Sequence, residues 1–156
     1  MALQIGQPAP DFTLYSSDKN KISLSDYKGE AVLLLFFPFA FSSVCTAELC
    51  SVRDNMNVYS NAKAVVMGIS VDSLYTLARF KSDQHFEFIL LSDFNKEVSS
   101  AYGALHENFS YNMKGVSKRA AFIIDKKGII KYAEVLENPG QLPSFDLITK
   151  SLGETA

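Results

Sequence analysis

A run of seven consecutive apolar residues, Ala31 to Phe37, most constrains the fold of this chain. A short apolar segment bounded by turn residues is typical of a strand that is buried on both faces of a parallel sheet. Residues 64–71 form a second strand of this kind. Strands that are apolar on both sides need helices packed on both faces of the sheet, which predicts an α/β protein.

The remaining elements alternate between strand and helix. Short strands are predicted at 11–14, 88–91, 120–124 and 129–135, and helices at 42–59, 73–81, 95–102 and from 143 onward, with a loop over 104–118. The residues at 125–128, Asp-Lys-Lys-Gly, indicate a hairpin between the last two strands. This order fits one thioredoxin-like domain over residues 1–156, with a central mixed sheet and helices on both faces.

Composition and charge exclude several classes of protein. Hydrophobic residues make up 47% of the chain and charged residues 21%, which indicates a packed globular domain. The formal net charge of -2 gives no reason to expect nucleic acid or an anionic membrane as a partner. No run approaches the ~18 apolar residues of a membrane span. The first ten residues lack the features of a signal peptide, so we expect a cytoplasmic protein.

Both cysteines, Cys45 and Cys50, lie where a helix is predicted to begin after the first apolar run. In the cytosol, two neighbouring cysteines favour redox chemistry or metal binding over a structural disulfide. The N-terminal end of a helix favours the thiolate, which is the reactive form of cysteine. A thiolate at Cys45 can attack one oxygen of a hydroperoxide and break the O–O bond, which leaves a sulfenic acid. That acid can condense with a second thiol, and Cys50 is the obvious one.

The spacing of the two cysteines places a condition on this disulfide. Residues five apart on an α-helix differ by ~7.5 Å in rise and ~140° in direction, which puts their Cα atoms ~8.7 Å apart. A disulfide requires less than ~7 Å. We therefore hypothesise that the first turn or two of the helix unwinds before Cys45 and Cys50 join. A disulfide found on an unbroken helix would refute this.

Three other interpretations of the cysteine pair stay open. Cys50 suits a buried position as a small hydrophobic residue, which is the commoner outcome for a lone cysteine. A zinc site would need further ligands, and the two histidines, His85 and His106, are distant in sequence. An oxidoreductase of the thioredoxin type normally has two residues between its cysteines, where this chain has four.

The segment around Cys45 resembles the active-site motif of the peroxiredoxins. In that motif a proline, three residues, a threonine or serine and two residues precede the attacking cysteine, and Pro38, Ser42 and Cys45 match it. The continuation to Cys50 is similar to the Q-type branch, also called bacterioferritin comigratory proteins. Other stretches, such as 91–94, are similar to the E-type alkyl hydroperoxide reductases, and the likeness covers nearly the whole chain.

The resemblance implies a role for each matched residue. Arg119 precedes a predicted strand that ends in aspartate, and it matches an arginine that completes the family's site. A guanidinium beside Cys45 stabilises a thiolate and binds peroxide oxygen. Ser42 is expected to hydrogen-bond the thiolate or the peroxide, Pro38 to shield the site, and the backbone N–H groups of residues 44 and 45 to polarise the peroxide. Threonine is usual at position 42, and serine lacks the methyl group that restricts the rotamer.

These features give two hypotheses about function. The resemblance implies a thiol-dependent peroxidase that reduces hydrogen peroxide or alkyl hydroperoxides without haem, metal or flavin. It also implies a homodimer and recycling by a thioredoxin-like dithiol protein. The second hypothesis is a redox-sensing or thiol-binding module on the same fold, without turnover. Glu48 is interpreted as a helix-dipole residue, and Phe39 and Phe41 as a wall of the site or part of a dimer face.

Overall fold

A seven-stranded mixed sheet forms the centre of the protein. The computed structural model describes residues 3–155, with strands β1 (Thr13–Ser16), β2 (Lys21–Ser23), β3 (Ala31–Phe36), β4 (Ala64–Ser70), β5 (Ile89–Ser92), β6 (Leu105–His106), β7 (Val116–Ser117), β8 (Arg119–Ile124) and β9 (Ile130–Leu136). The order in the sheet is β2-β1-β5-β4-β3-β8-β9, and β6 pairs with β7 separately. Strands β3, β4 and β5 are parallel, and the others join antiparallel. The predicted mixed sheet is confirmed.

Along the chain, helices follow β3, β4, β5 and β9. They are α1 (Ser43–Asp54), α2 (Met56–Asn61), α3 (Leu74–Gln84), α4 (Glu97–Ala101) and α5 (Phe145–Thr155), with short 3-10 turns at Leu24–Tyr27 and Ser110–Asn112. The longest of these helices, α1, has 12 residues. Within residues 3–155, no helix has both the length and the apolar character that crossing a membrane requires.

The side chains of the central strands alternate between two hydrophobic cores. Leu33 and Leu35 belong to one core, together with residues of α1, α2, α3 and α5. Leu34 and Phe36 belong to the other, together with residues of α4. All six residues of β3 are buried, as expected for a strand that is covered on both faces. The predicted α/β architecture with helices on both faces is therefore confirmed.

Three elements differ from the prediction. The helix predicted over 42–59 is interrupted at Asn55, whose φ of -119° and ψ of 24° are not helical, so α1 and α2 are separate helices. The loop predicted over 104–118 contains the β6–β7 pair and a 3-10 turn. Strand β2 was not predicted. Strands of two or three residues are too short to show a periodic pattern, which is why the sequence did not indicate them.

Asp93 fixes the chain at the end of β5. Its carboxylate accepts hydrogen bonds from the backbone N–H groups of Val98, at 3.2 Å, and Ser99, at 2.6 Å. These N–H groups lie in the first turn of α4, where no partner exists within the helix. Asp93 is only 1% exposed, so water cannot replace the carboxylate as their acceptor.

We expect Asp93→Ala to lower the free energy of unfolding by about 2–3 kcal/mol, because it leaves two buried N–H donors without acceptors. Asp18→Ala is the control, since Asp18 forms only a surface ion pair with Lys81. That variant should change the free energy of unfolding by less than ~1 kcal/mol. Urea unfolding measures both effects, and equal midpoints for the two variants would contradict the assignment.

Candidate active site

The loop between β3 and α1 is held at two points. The backbone N–H of Ala40 donates to Asp72 Oδ2 at 2.7 Å, and the Ser70 hydroxyl donates to the same oxygen at 2.7 Å. Phe41 has a left-handed φ of 69°, and its ring packs on Phe80 with 5.0 Å between ring centroids. A non-glycine residue keeps such a strained backbone only where its surroundings enforce it. The loop therefore fixes the position and direction in which α1 begins.

The N-terminal end of α1 is left without a side-chain cap. Ser42 occupies the N-cap position and its carbonyl accepts from Thr46 N–H at 2.9 Å, but its hydroxyl donates to the Phe39 carbonyl at 2.8 Å. The N–H groups of residues 43–45 have no acceptor within the helix. They form the positive end of the helix dipole, which favours an anionic group at Cys45.

Arg119 brings its guanidinium to this helix from β8. Antiparallel pairing places Ala120 opposite Phe36, so Arg119 lies beside the end of β3 where the loop begins. Its Nη2 donates to Cys45 Sγ at 3.2 Å, and its Nη1 pairs with Glu48 Oε1 at 2.5 Å. Nη2 also donates to the carbonyl of Pro139 at 3.0 Å. Arg119 is 1% exposed, so protein atoms replace water around the charge.

Glu48 and Arg119 form a buried ion pair with unequal surroundings. Burial raises the pKa of Glu48 from 4.5 to about 7, although the charge and hydrogen bond of Arg119 act in the opposite direction. The second carboxyl oxygen, Oε2, is buried without a hydrogen-bond partner among the described residues, which leaves its charge poorly solvated. For Arg119, burial opposes the positive charge, but Glu48 and Cys45 outweigh it and raise the pKa of the guanidinium.

Cys45 lies at the floor of a shallow, mostly apolar cleft. The cleft is lined by residues of the loop, of the start of α1 and of two distant segments: Pro38, Phe39, Ser42, Ser43, Val44, Cys45, Phe109, Arg119, Pro139 and Gly140. Phe39 and Phe109 meet edge to face in its lining, with 5.9 Å between ring centroids. Cys45 lines the cleft, although none of its surface is exposed to bulk water in this conformation.

Cys50 lies on the same helix but outside the cleft. Both cysteines are free, and α1 is unbroken from Ser43 to Asp54. Cys50 is half-buried, and its thiol donates to Gln84 Oε1 at 3.4 Å. The two sulfurs therefore have different neighbours, and an intact helix keeps their Cα atoms beyond bridging distance.

The structure brings four of the five predicted site residues together and shows what the sequence did not indicate. Pro38, Ser42, Cys45 and Arg119 all line the cleft, whereas Cys50 does not. The pairing of Glu48 with Arg119, the carbonyl of Pro139 and the ring of Phe109 were not predicted. Of these, only the position of Glu48 could be inferred from the sequence, because Cys45 and Glu48 are three residues apart on one helix and therefore share a face. Within residues 3–155, no group of three His, Cys, Asp or Glu side chains is placed to hold a metal ion.

Comparison with known proteins places this geometry in a family. The model of the AhpC/TSA family matches residues 5–133. The chain belongs to the AhpC/TSA family.

Relatives with similar sequences carry peroxiredoxin names. The chain is 37% identical over 153 residues to alkyl hydroperoxide reductase E of Mycobacterium tuberculosis, with 96% of each chain covered. It is 39% identical over 132 residues to the putative peroxiredoxin bcp of Coxiella burnetii, with 83% of this chain and 87% of that protein covered. The protein is thus a peroxiredoxin enzyme, and these relatives support a thiol peroxidase activity.

Solved structures of family members share the fold. Peroxidoxin BcpB of Mycobacterium tuberculosis superposes with a TM-score of 0.85 at 25% identity, covering 99% of both chains. A cysteine-to-serine mutant of PrxQ from Xylella fastidiosa superposes with a TM-score of 0.87 at 23% identity, covering 99% of this chain and 98% of that one. The predicted thioredoxin-like layout is therefore confirmed.

The pKa of Glu48 predicts a specific pH dependence of stability. Between pH 4.5 and about 7 the folded protein keeps a proton on Glu48 that the unfolded chain has already released. The free energy of unfolding should therefore fall as pH rises through this range, by on the order of 3 kcal/mol, and then level off. Glu48→Gln removes the titrating group, so the difference in unfolding free energy between wild type and Glu48→Gln should show this fall. A difference in unfolding free energy, measured by urea unfolding, that stays constant between the two proteins across pH 4.5–8 would contradict this prediction.

Proposed function

We propose that this protein reduces hydrogen peroxide and alkyl hydroperoxides by nucleophilic attack of Cys45. The observation that carries the proposal is the 3.2 Å hydrogen bond from Arg119 Nη2 to Cys45 Sγ at the floor of a cleft. A buried cation in direct contact with the sulfur stabilises its thiolate, which is the form that attacks a peroxide oxygen. The relative from Mycobacterium tuberculosis is named alkyl hydroperoxide reductase E, which supports alkyl hydroperoxides as substrates.

Each group of the cleft has a distinct task in this step. The Cys45 thiolate attacks one peroxide oxygen, so that an S–O bond forms as the O–O bond breaks. The hydroxyl stays on the sulfur as the sulfenic acid, and the other oxygen leaves as an alcohol or water after taking a proton from solvent. Arg119 and the free N–H groups of residues 43–45 stabilise the negative charge that develops on the departing oxygen. The single hydrogen of the Ser42 hydroxyl is donated to Phe39, so towards the cleft this oxygen acts as an acceptor for a peroxide O–H. Pro38 closes one wall.

Cys50 is proposed as the resolving cysteine. The sulfenic acid on Cys45 condenses with the Cys50 thiol, which forms the disulfide and releases water. Because both residues lie on one unbroken helix, α1 must unwind locally for the sulfurs to meet. The break at Asn55 separates α1 from α2, so this change can be confined to the 12 residues of α1.

A dithiol protein of the thioredoxin type is the proposed reductant, because it supplies the two electrons that return the disulfide to two thiols. A homodimer is proposed from the resemblance to E-type family members. Phe41 is 49% exposed beside the cleft and supports a contact there.

The alternative function, a redox sensor on the same fold, makes the same disulfide but does not turn over with a dithiol reductant.

Steady-state consumption of peroxide with a dithiol reductant distinguishes the two functions. We expect the wild type to turn over and Cys45→Ser to lose all activity, because the attacking sulfur is gone. Cys50→Ser should still consume one equivalent of peroxide and then gain one oxygen by mass, with turnover reduced at least ~10-fold, since the sulfenic acid has no internal partner.

Two results would change this account. A wild type that consumes one equivalent and then stops would favour the sensor. Unchanged turnover in Cys50→Ser would show that the reductant attacks Cys45 directly, and Cys50 would then be a structural residue.

A further inference from the structure

We propose that Gln84 and Arg53 hold Cys50 away from Cys45 and thereby set the rate at which the disulfide forms. We call the contacts among Cys50, Arg53 and Gln84 the Gln84 latch. This inference rests on the proposed role of Cys50 as the resolving cysteine. It concerns residues outside the cleft, which the attack on peroxide does not use.

The latch joins the second half of α1 to the last residue of α3. The Cys50 thiol donates to the side-chain Oε1 of Gln84 at 3.4 Å. The guanidinium of Arg53 donates from Nη1 to the backbone carbonyl of the same residue at 2.8 Å. Arg53 is itself oriented by Asp54, at 2.9 Å. A single residue of α3 therefore contacts both the resolving thiol and the residue three positions beyond it.

The C-terminal end of α3 stabilises the position of the Arg53 guanidinium. Gln84 is the last residue of α3, and His85 beyond it has a left-handed φ of 57° that ends the helix. The last four carbonyls of a helix have no partner within it and form the negative end of the dipole. A guanidinium from α1 supplies the missing donor to one of these carbonyls. The contact therefore ties the two helices together at this end.

Disulfide formation requires at least part of the latch to open. The Cys50 sulfur attacks the sulfenic sulfur of Cys45, the S–S bond forms and the S–O bond breaks. The hydroxyl leaves as water with the proton that the Cys50 thiol held. That proton is the one donated to Gln84 Oε1, so the contact cannot survive in the disulfide. The latch therefore stabilises the reduced protein and the sulfenic acid but not the disulfide, and this lengthens the lifetime of the sulfenic acid.

In the competing route, movement of the first turn of α1 limits the rate, and the contact between Cys50 and Gln84 opens only after that step. Cys45 is anchored by Arg119 and Cys50 by Gln84, so the sulfurs can meet when either anchor releases. If that movement is rate-limiting, Gln84 has no influence on the rate. The two routes differ in how a change at Gln84 affects disulfide formation alone, which makes them separable by experiment.

The test follows the reduced protein after one equivalent of hydrogen peroxide, by acid quench and mass spectrometry. Loss of two hydrogens reports the disulfide, and gain of one oxygen reports the sulfenic acid. Gln84→Met keeps the length of the side chain and removes the acceptor, and we expect it to form the disulfide roughly 5- to 10-fold faster. Arg53→Met should act in the same direction, and Arg53→Lys, which restores a donor, should lie closer to wild type. The rate of Cys45 oxidation should not change in any of them.

Two controls separate the latch from a general loss of stability. Asp93→Ala removes buried hydrogen bonds near α4, on the other face of the sheet, and should leave the rate of disulfide formation unchanged. Arg79→Met removes only an exposed ion pair on α3 and should also have no effect. Acceleration by Asp93→Ala equal to that by Gln84→Met would overturn the inference.

The remaining outcomes distinguish this inference from the proposed function. Disulfide formation that is equally fast or slower in Gln84→Met than in wild type would overturn the latch and leave Cys50 as the resolving residue. A wild type that never loses two hydrogens would overturn the resolving role of Cys50 itself, and the latch with it.

Discussion

A guanidinium buried among three segments of the chain holds this site together. Arg119 has almost no exposed surface, so its charge is stable only where protein atoms take the place of water. Cys45, Glu48 and the carbonyl of Pro139 provide those atoms. The requirement fixes β8 against the first turns of α1 and against the segment after β9. One cation faces both the Cys45 thiol and the Glu48 carboxyl, and burial raises the pKa of Glu48 to about 7.

The first helix, α1, fixes the positions of both cysteines. It holds Cys45 at the floor of the cleft with an uncapped N-terminal end, and it keeps Cys50 too far away to bridge while it remains intact. The helix has only 12 residues, begins after a strained loop residue and ends at a break. A helix of this length depends on tertiary contacts more than on its own propensity. Contacts such as those of Arg119 and Gln84 therefore stabilise the intact helix.

Much of this arrangement could be predicted from the sequence, for physical reasons. The apolar run at 31–37 predicted a strand buried on both faces, since no polar residue interrupts it. The short motif around Cys45 predicted the loop and the start of α1, because its members are neighbours in the chain. Arg119 is 74 residues beyond Cys45 in the chain, and only the family resemblance indicated it.

The parts that were missed depend on tertiary contacts. Glu48 has the pattern of an ordinary helix-dipole residue until Arg119 is placed beside it. The contribution of Pro139 is a backbone carbonyl, which any residue supplies, so no side chain indicates it.

The central claim, that contact with Arg119 makes Cys45 reactive, is tested most directly by the single-turnover rate of Cys45 oxidation by hydrogen peroxide. Comparing Glu48→Gln with Glu48→Gln/Arg119→Met avoids leaving an unpaired buried carboxylate, and the account predicts a rate at least ~100-fold lower without the guanidinium. Rates within twofold of each other in two folded proteins would contradict it.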